Sequence, residues 1–407
     1  MPLSTAQQDA LDVRRARVEE LHSMGLSITE TAERLASTYR MIENDLKAMQ
    51  ISRWSDISDA ALDEKMMGYL RRGHGALGRR LLDGRLVVDG LHVQRRRVEE
   101  SLARLGRARA PPRRRVRRRW YEGIGSFYAV HVDQNEKLGF AGIKFLAAID
   151  GRWRCPLHWE VVTNLTGLTH ARFINNLIRR WGCVPAHIVL DGAGAWSCVE
   201  DIMRFYYGPR FDDVDIVPLA EGNIAIRRFQ RTSSVHSTPI ERSWADVNDV
   251  THKYRVEFKS LEARGLFRGG RHLDPVDAFC LAAVYIDLIR RDVHEHFMSM
   301  GYRRKHKDTA NPNVPAGARR PVDGLVNSAQ HGLPVDAASI AAVDAGILRY
   351  HGVAPGSDGP AAPWETDPLV TDADRALRSR MVAARAPQTP SEEYIAMRDA
   401  TRRIAGL

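Results

Sequence analysis

The chain has 407 residues, 44% of them hydrophobic and 27% charged, with a formal net charge of +10. That length accommodates two or three domains with cores of their own, and the cationic excess points to an anionic partner, nucleic acid first, or to a surface kept basic for solubility. The four cysteines, Cys155, Cys183, Cys198 and Cys280, lack CxxC spacing, which argues against a disulfide scaffold or a cysteine-rich zinc module and for an intracellular, reducing setting.

No apolar run nears the ~20 residues of a membrane span, so no membrane association is expected. The stretch MPLSTAQQDALDVRRA has no apolar h-region, so no secretory signal is expected either. Residues 6–24 read as a helix with Leu11, Val18 and Leu21 on one side, ended by Gly25. Ser27 then caps a short helix with Ile28, Ala32 and Leu35 on one face, and TYRMIENDLKAM supplies a third with Ile42, Leu46 and Met49 inward. This block, residues 1–52, has the parts of a helix-turn-helix and equally those of a plain three-helix bundle.

Residues 53–106 repeat the theme as a second helical, helix-turn-helix-like module. DISDAALDEKMMGYLRR, GALGRRLLDGRL and HVQRRRVEESLARLG each read as a helix. Arg95, Arg96 and Arg97 stand at the start of the last one, placed either for DNA phosphates and base edges or as a solvated basic face. Residues 107–120 form an arginine-rich linker in which two prolines stop any helix. Its Arg113, Arg114, Arg115, Arg117, Arg118 and Arg119 suit contact with a phosphate backbone, a nuclear-import signal, or plain solvation.

From Trp120 the pattern turns to strands. SFYAVHVDQ, FAGIKFLAAID and PLHWEVV predict a three-strand meander with a hairpin-type turn at Asp150-Gly151. A helix over LTHARFINNLIRRWG, a short buried strand AHIVLD, a helix over VEDIMRFYY and a strand-like DDVDIVPLA follow. RTSSVHSTPIERSW starts strand-like, turns at a polar run, and enters a long helix with the stripe Ile240, Trp244, Val247 and Val250. LDPVDAFCLAAVYIDLIRRDVHEHFM predicts another long helix, on which His294 and His296, two apart, share no face as a metal pair and are expected at the surface. The fold class is therefore α/β, a mixed sheet with helices on both faces over residues 121–304. Residues 305–407 are expected to be an extended or partly disordered tail with weak helices at VDAASIAAVDAGILRYHG and DADRALRSRMVAARA.

Asp133 closes the first strand, Asp191 closes the fourth, and Glu241 opens the long helix. Carboxylates on strand ends are rigid oxygen ligands, and oxygen ligands suit Mg²⁺ or Mn²⁺. A pair of such ions drives phosphodiester transfer by activating the attacking oxygen and stabilising the leaving one.

The motifs HVDQNEKL, AAIDG, IVLDGAGAW and SSVHSTPIERSW together resemble the integrase catalytic core (rve, DDE-type) of retroelements and of integrase-core proteins in eukaryotic genomes, related to transposon integrases. The likeness extends over roughly residues 15–305, and the remainder has none. It implies an RNase H-like core behind a helix-turn-helix region. It assigns Asp133, Asp191 and Glu241 as catalytic and metal-binding acids, with Arg242, a DNA contact, and Trp244 beside the glutamate, His236 and Asn135 as polar neighbours and Lys137 as a basic one that contacts DNA. It further implies DNA integration, with double-stranded DNA as partner, a homo-oligomer when DNA is bound, and a nuclear location if the source is eukaryotic. The expected activity is two-metal transfer of a DNA 3′-OH onto a phosphodiester; the alternatives are a domesticated, non-catalytic DNA-binding protein with the same fold, and an RNase H-like nuclease. Gln134 stands where the pattern has Gly, Glu136 where it has His, and Ser237-Thr238-Pro239 replace a more polar, basic run. No His/Cys spacing before Trp120 could build a zinc module, and no GxxxxGK[ST] phosphate loop is present.

Overall fold

A computed structural model describes residues 5–72, 78–107, 125–191, 196–219, 222–232, 238–303, 320–327, 330–353, 367–369 and 371–407, with 5–6, Asp191, 216–219, 222–226, 231–232 and 238–239 described in their backbone alone. The chain divides into two compact units whose segments alternate along the sequence. Unit 1 holds residues 1–120, 153–155 and 295–329; unit 2 holds 121–152, 156–294 and 330–407.

Unit 1 begins with α1 (Thr5–Ser23), α2 (Ile28–Arg34) and α3 (Tyr39–Ala48). Ser27 and Glu30 form a reciprocal capping box at α2, as the Ser-x-x-Glu spacing dictates. The helices close on Val18, Ile28, Ala32, Ile42 and Leu46, and buried Asp45 accepts two bonds of 2.9 Å from the Arg14 guanidinium. A second trio, α4 (Asp59–Arg71), α5 (Arg79–Val88) and α6 (Arg95–Arg104), closes on Leu62, Met66, Tyr69, Leu82, Leu86 and Val98. Gly84 is required on α5 because a Cβ there would stand 2.5 Å from the Ser299 carbonyl oxygen.

Unit 2 is built on a five-stranded sheet. β1 (Ala129–Asn135), β2 (Lys144–Asp150) and β3 (Pro156–Val162) form the expected antiparallel meander. The turn after Asp150 is longer than a tight hairpin, running from Gly151 to Cys155. Gly151 packs so closely that an added Cβ would lie 2.9 Å from the Ala129 carbonyl oxygen. After α7 (Gly167–Trp181) and the two-residue β4 (Cys183–Val184), β5 (His187–Asp191) pairs parallel to β1.

The last sheet strand differs from expectation. DDVDIVPLA supplies β6 (Val214–Leu219), which follows α8 (Ser197–Tyr207) and pairs only with β7 (Gly222–Arg227) in a separate hairpin. The fifth sheet strand is β8 (Phe229–Thr232), parallel to β5, giving the order β3-β2-β1-β5-β8. The hairpin is anchored to the sheet by charge: Asp215 Oδ2 lies 2.8 Å from His187 Nε2 and 3.3 Å from Arg228 Nη1. Burial alone would raise the Asp215 carboxyl, but His187 and Arg228 outweigh it and hold it below the usual carboxylate range.

The α9 helix (Thr238–Ala263) lays Ile240, Trp244, Val247 and Val250 into the core, as its stripe predicts. The next helix, α10 (Pro275–Tyr302), gives residues 275–294 to unit 2 and the rest to unit 1, as it does α11 (Pro321–Asn327). His294 is exposed as expected but His296 is wholly buried. Residues two apart stand about 200° around a helix, so one facing out sends the other in.

Where it is described, the tail carries the two helices read at VDAASIAAVDAGILRYHG and DADRALRSRMVAARA and a further one. Beyond the two-residue β9 (Leu333–Pro334), which pairs with β4, lie α12 (Ala337–Tyr350), α13 (Asp372–Ala384) and α14 (Pro390–Ala405). Asp344 of α12 accepts from Asn175 of α7 at 2.6 Å. Buried Asp277 of α10 accepts from Arg398 at 2.8 Å and from Arg402 at 3.2 Å, which fixes α14. These long-range hydrogen bonds and ion pairs order a segment whose composition alone favours disorder. Among the described residues no helix is long and apolar enough to cross a membrane.

Candidate active site

β1 and β5 run parallel with Val130 opposite Ile188 and His131 opposite Val189. Continued two residues, that register brings Asp133 level with the backbone of Asp191, so both aspartates sit at the same end of adjacent strands. The loop after Asp191 and the side chain of Asp191 itself lie outside the described residues.

Asp133 is half-buried and held at both oxygens. Its Oδ1 accepts from the Gln134 backbone N–H at 2.8 Å, and its Oδ2 accepts from Trp244 Nε1 at 2.9 Å. One turn further along α9, Asn248 Oδ1 accepts from Asn135 Nδ2 at 3.0 Å, and Asn135 Oδ1 in turn accepts from the Lys137 N–H. Four residues of helix rise about 6 Å and two residues of strand about 6.6 Å. The two contacts therefore set α9 alongside β1, running the same way. Glu241 lies three residues before Trp244 and seven before Asn248, so it shares their side of the helix. It is exposed at the helix start, as is Arg242.

Gln134, where the resemblance expects glycine, turns its side chain to the other side of the strand. Its Oε1 lies 3.2 Å from Nε2 of the buried His170, and its Nε2 donates to Glu136 Oε1 at 3.3 Å. His170 Nδ1 donates to the Thr166 carbonyl at 2.7 Å, and the His170 ring meets the buried Trp196 edge-on at 4.0 Å. Glu136 itself is exposed, 3.8 Å from Lys144 Nζ.

The structure thus unites Asp133 with the helix start that bears Glu241, and with the Asp191 backbone. Among the described residues no three His, Cys, Asp or Glu side chains cluster as a metal site; the Asp191 side chain and His236 are not among them. The donor set fits a hard divalent ion, since its side chains are carboxylates alone and Asp133 is already aimed by two donors. Lys137 is exposed beside the site. Arg95 and Arg96 of α6 are exposed but paired with Glu99 and Glu100 at i+4, while Arg97 is pinned by Asp59 at 2.6 Å. Arg113, Arg114, Arg115, Arg117, Arg118 and Arg119 fall outside the described residues. Sequence reasoning did not find the Trp244 bond to Asp133, the Asn135–Asn248 bond or the His170 support. The available signal was the spacing of 241, 244 and 248 along one helical side.

Residues 126–316 match the family model of the integrase core domain. That stretch runs from just before β1 through α10, the mixed sheet and the helices that hold Asp133, Asp191 and Glu241. No curated protein matches the chain.

Proposed function

We propose that unit 2 is a DNA strand-transfer centre of the integrase and transposase kind, with Asp133, Asp191 and Glu241 as its acids. The observation that carries this is the Trp244–Asp133 bond, which fastens the Glu241 helix beside the strand end level with Asp191. Mg²⁺ or Mn²⁺ would be held by these three carboxylates and would activate the attacking oxygen and stabilise the leaving one. The attacking hydroxyl, from water and then from a DNA 3′ end, forms the new P–O bond as the bond to the leaving oxygen breaks. Trp244 and the Gln134 N–H keep Asp133 aimed throughout. Exposed Arg242 and Lys137 contact the phosphates of double-stranded DNA on either side of the acids, and a homo-oligomer holds two DNA ends together.

Substituting Asp191→Asn tests the reading. It should abolish divalent-metal-dependent joining of duplex ends while leaving DNA binding within twofold. Joining by the variant at the wild-type rate removes the mechanism. Wild-type protein that binds DNA but neither nicks nor joins it in Mg²⁺ or Mn²⁺ establishes the non-catalytic alternative, and nicking without joining establishes a nuclease.

A further inference from the structure

The packing of α1–α3 decides which way α3 faces. Its inward side is Ile42, Asp45 and Leu46. At 100° per residue, Arg40, Asn44 and Lys47 then share the opposite side as an i, i+4, i+7 stripe. All three are exposed, and Tyr39 and Met41 beside them are 42% and 41% exposed.

The charge on this face is one-sided. Asp45 is turned inward onto Arg14 and Arg15. Glu43, the other acid of α3, is 3.7 Å from Lys47 in a solvent-exposed pair of little strength. Arg53 adds a further cation by donating to the Tyr39 hydroxyl at 3.2 Å. On α6 four arginines each meet a carboxylate, Glu99, Glu100, Asp59 and, for Arg104, Asp63 at 2.7 Å, whereas on the α3 face Lys47 alone does and Arg40 has no carboxylate partner among the described residues.

We propose that α3 is a base-reading helix that enters the major groove of double-stranded DNA, with Arg40 and Asn44 on base edges and Lys47 on a phosphate. Arginine pairs bidentately with guanine O6 and N7, and asparagine with adenine N6 and N7. Four residues of helix advance about 6 Å, close to two base-pair steps of ~3.4 Å, so the two side chains reach base pairs two steps apart. Tyr39 and Met41 flank the stripe on opposite sides, where either side chain offers apolar contact of the kind a thymine methyl accepts. The turn from Leu35 to Thr38, with Ala36 at φ +46°, is short enough to hold α2 against α3 as a helix-turn-helix requires. The proposal rests on DNA being the partner and not on any reaction at Asp133.

The test is selection of binding sites by the full chain from a randomised duplex library, without joining being read. The wild type should enrich a motif. Arg40→Ala and Asn44→Ala should each lower discrimination at one position by about 10- to 100-fold and keep non-specific binding. Lys47→Ala should weaken all sequences alike and reduce the salt slope by about one. The proposal is overturned if the wild type enriches no motif, or if the Arg40 and Asn44 variants discriminate as the wild type does. It is also overturned if those variants change self-association in sedimentation without DNA while the motif stays, which would make the face a protein interface.

Discussion

The Trp244 indole donates to Asp133 Oδ2 at 2.9 Å, so the helix that opens beside Glu241 is tied to the strand that carries the first aspartate. Trp244→Phe keeps an apolar aromatic side chain at the position and removes the donor together with part of the indole's buried volume. A hydrogen bond to a charged group contributes ~1.5–3 kcal/mol, and small misplacements of a reacting group cost up to about 100-fold. Strand joining should fall roughly 10- to 100-fold while DNA affinity stays within twofold. A single-turnover joining assay beside an equilibrium binding titration separates the two quantities, and unchanged joining would mean that Asp133 needs no aiming.

Gly84 lies against a backbone oxygen, which cannot move aside as a flexible side chain can. Gly84→Ala should therefore destabilise unit 1 by about 1–3 kcal/mol, the usual effect of overpacking. Faster hydrogen exchange at α5 amides, with those of β1 unaffected, would report it.

Asp277 holds α14 through Arg398 and Arg402. In Asp277→Ala the arginines, both partly exposed, can rehydrate, so the loss is limited to about 2 kcal/mol. Protection of α14 amides should drop first. Equal protection in the variant would show that apolar packing alone seats the helix.

Acid should loosen the β6–β7 hairpin. A carboxyl depressed in the folded state, as Asp215 is, contributes stability above its unfolded value of ~4 and loses it as pH falls through that value to the lower folded one. The wild-type thermal midpoint should decline more steeply between about pH 5 and pH 3 than that of Asp215→Asn. Parallel curves for the two proteins would locate the acid sensitivity elsewhere.

Local periodicity was legible wherever an element carries its own pattern. The stripe Ile240, Trp244, Val247 and Val250 is buried because its 3.6-residue spacing leaves α9 one apolar side. The three meander strands and AHIVLD are apolar runs and form as read. β8 was not legible as a sheet member. FQRT is short and polar, and it is a strand because β5 offers it an edge. The last helix, α14, was missed for a related reason, since Asp277 and Arg398 meet across 121 residues. In the site, the positions of the acids were legible, but Trp244 looked like core alone because burial and hydrogen bonding to Asp133 use the same face. The two readings are compatible in an indole, whose body is apolar and whose edge donates.

The placement of β1 in the middle of the sheet also governs how the chain must assemble. The meander β1–β2–β3 is local and can form early, but it leaves one edge of β1 open until β5 arrives from beyond α7, and β5 then waits for β8. Parallel, non-local pairings are slow steps in folding, and an apolar strand with an unpaired edge recruits other chains while it waits. Defects in β5 or β8 would therefore surface first as low soluble yield, before any purified protein could be assayed.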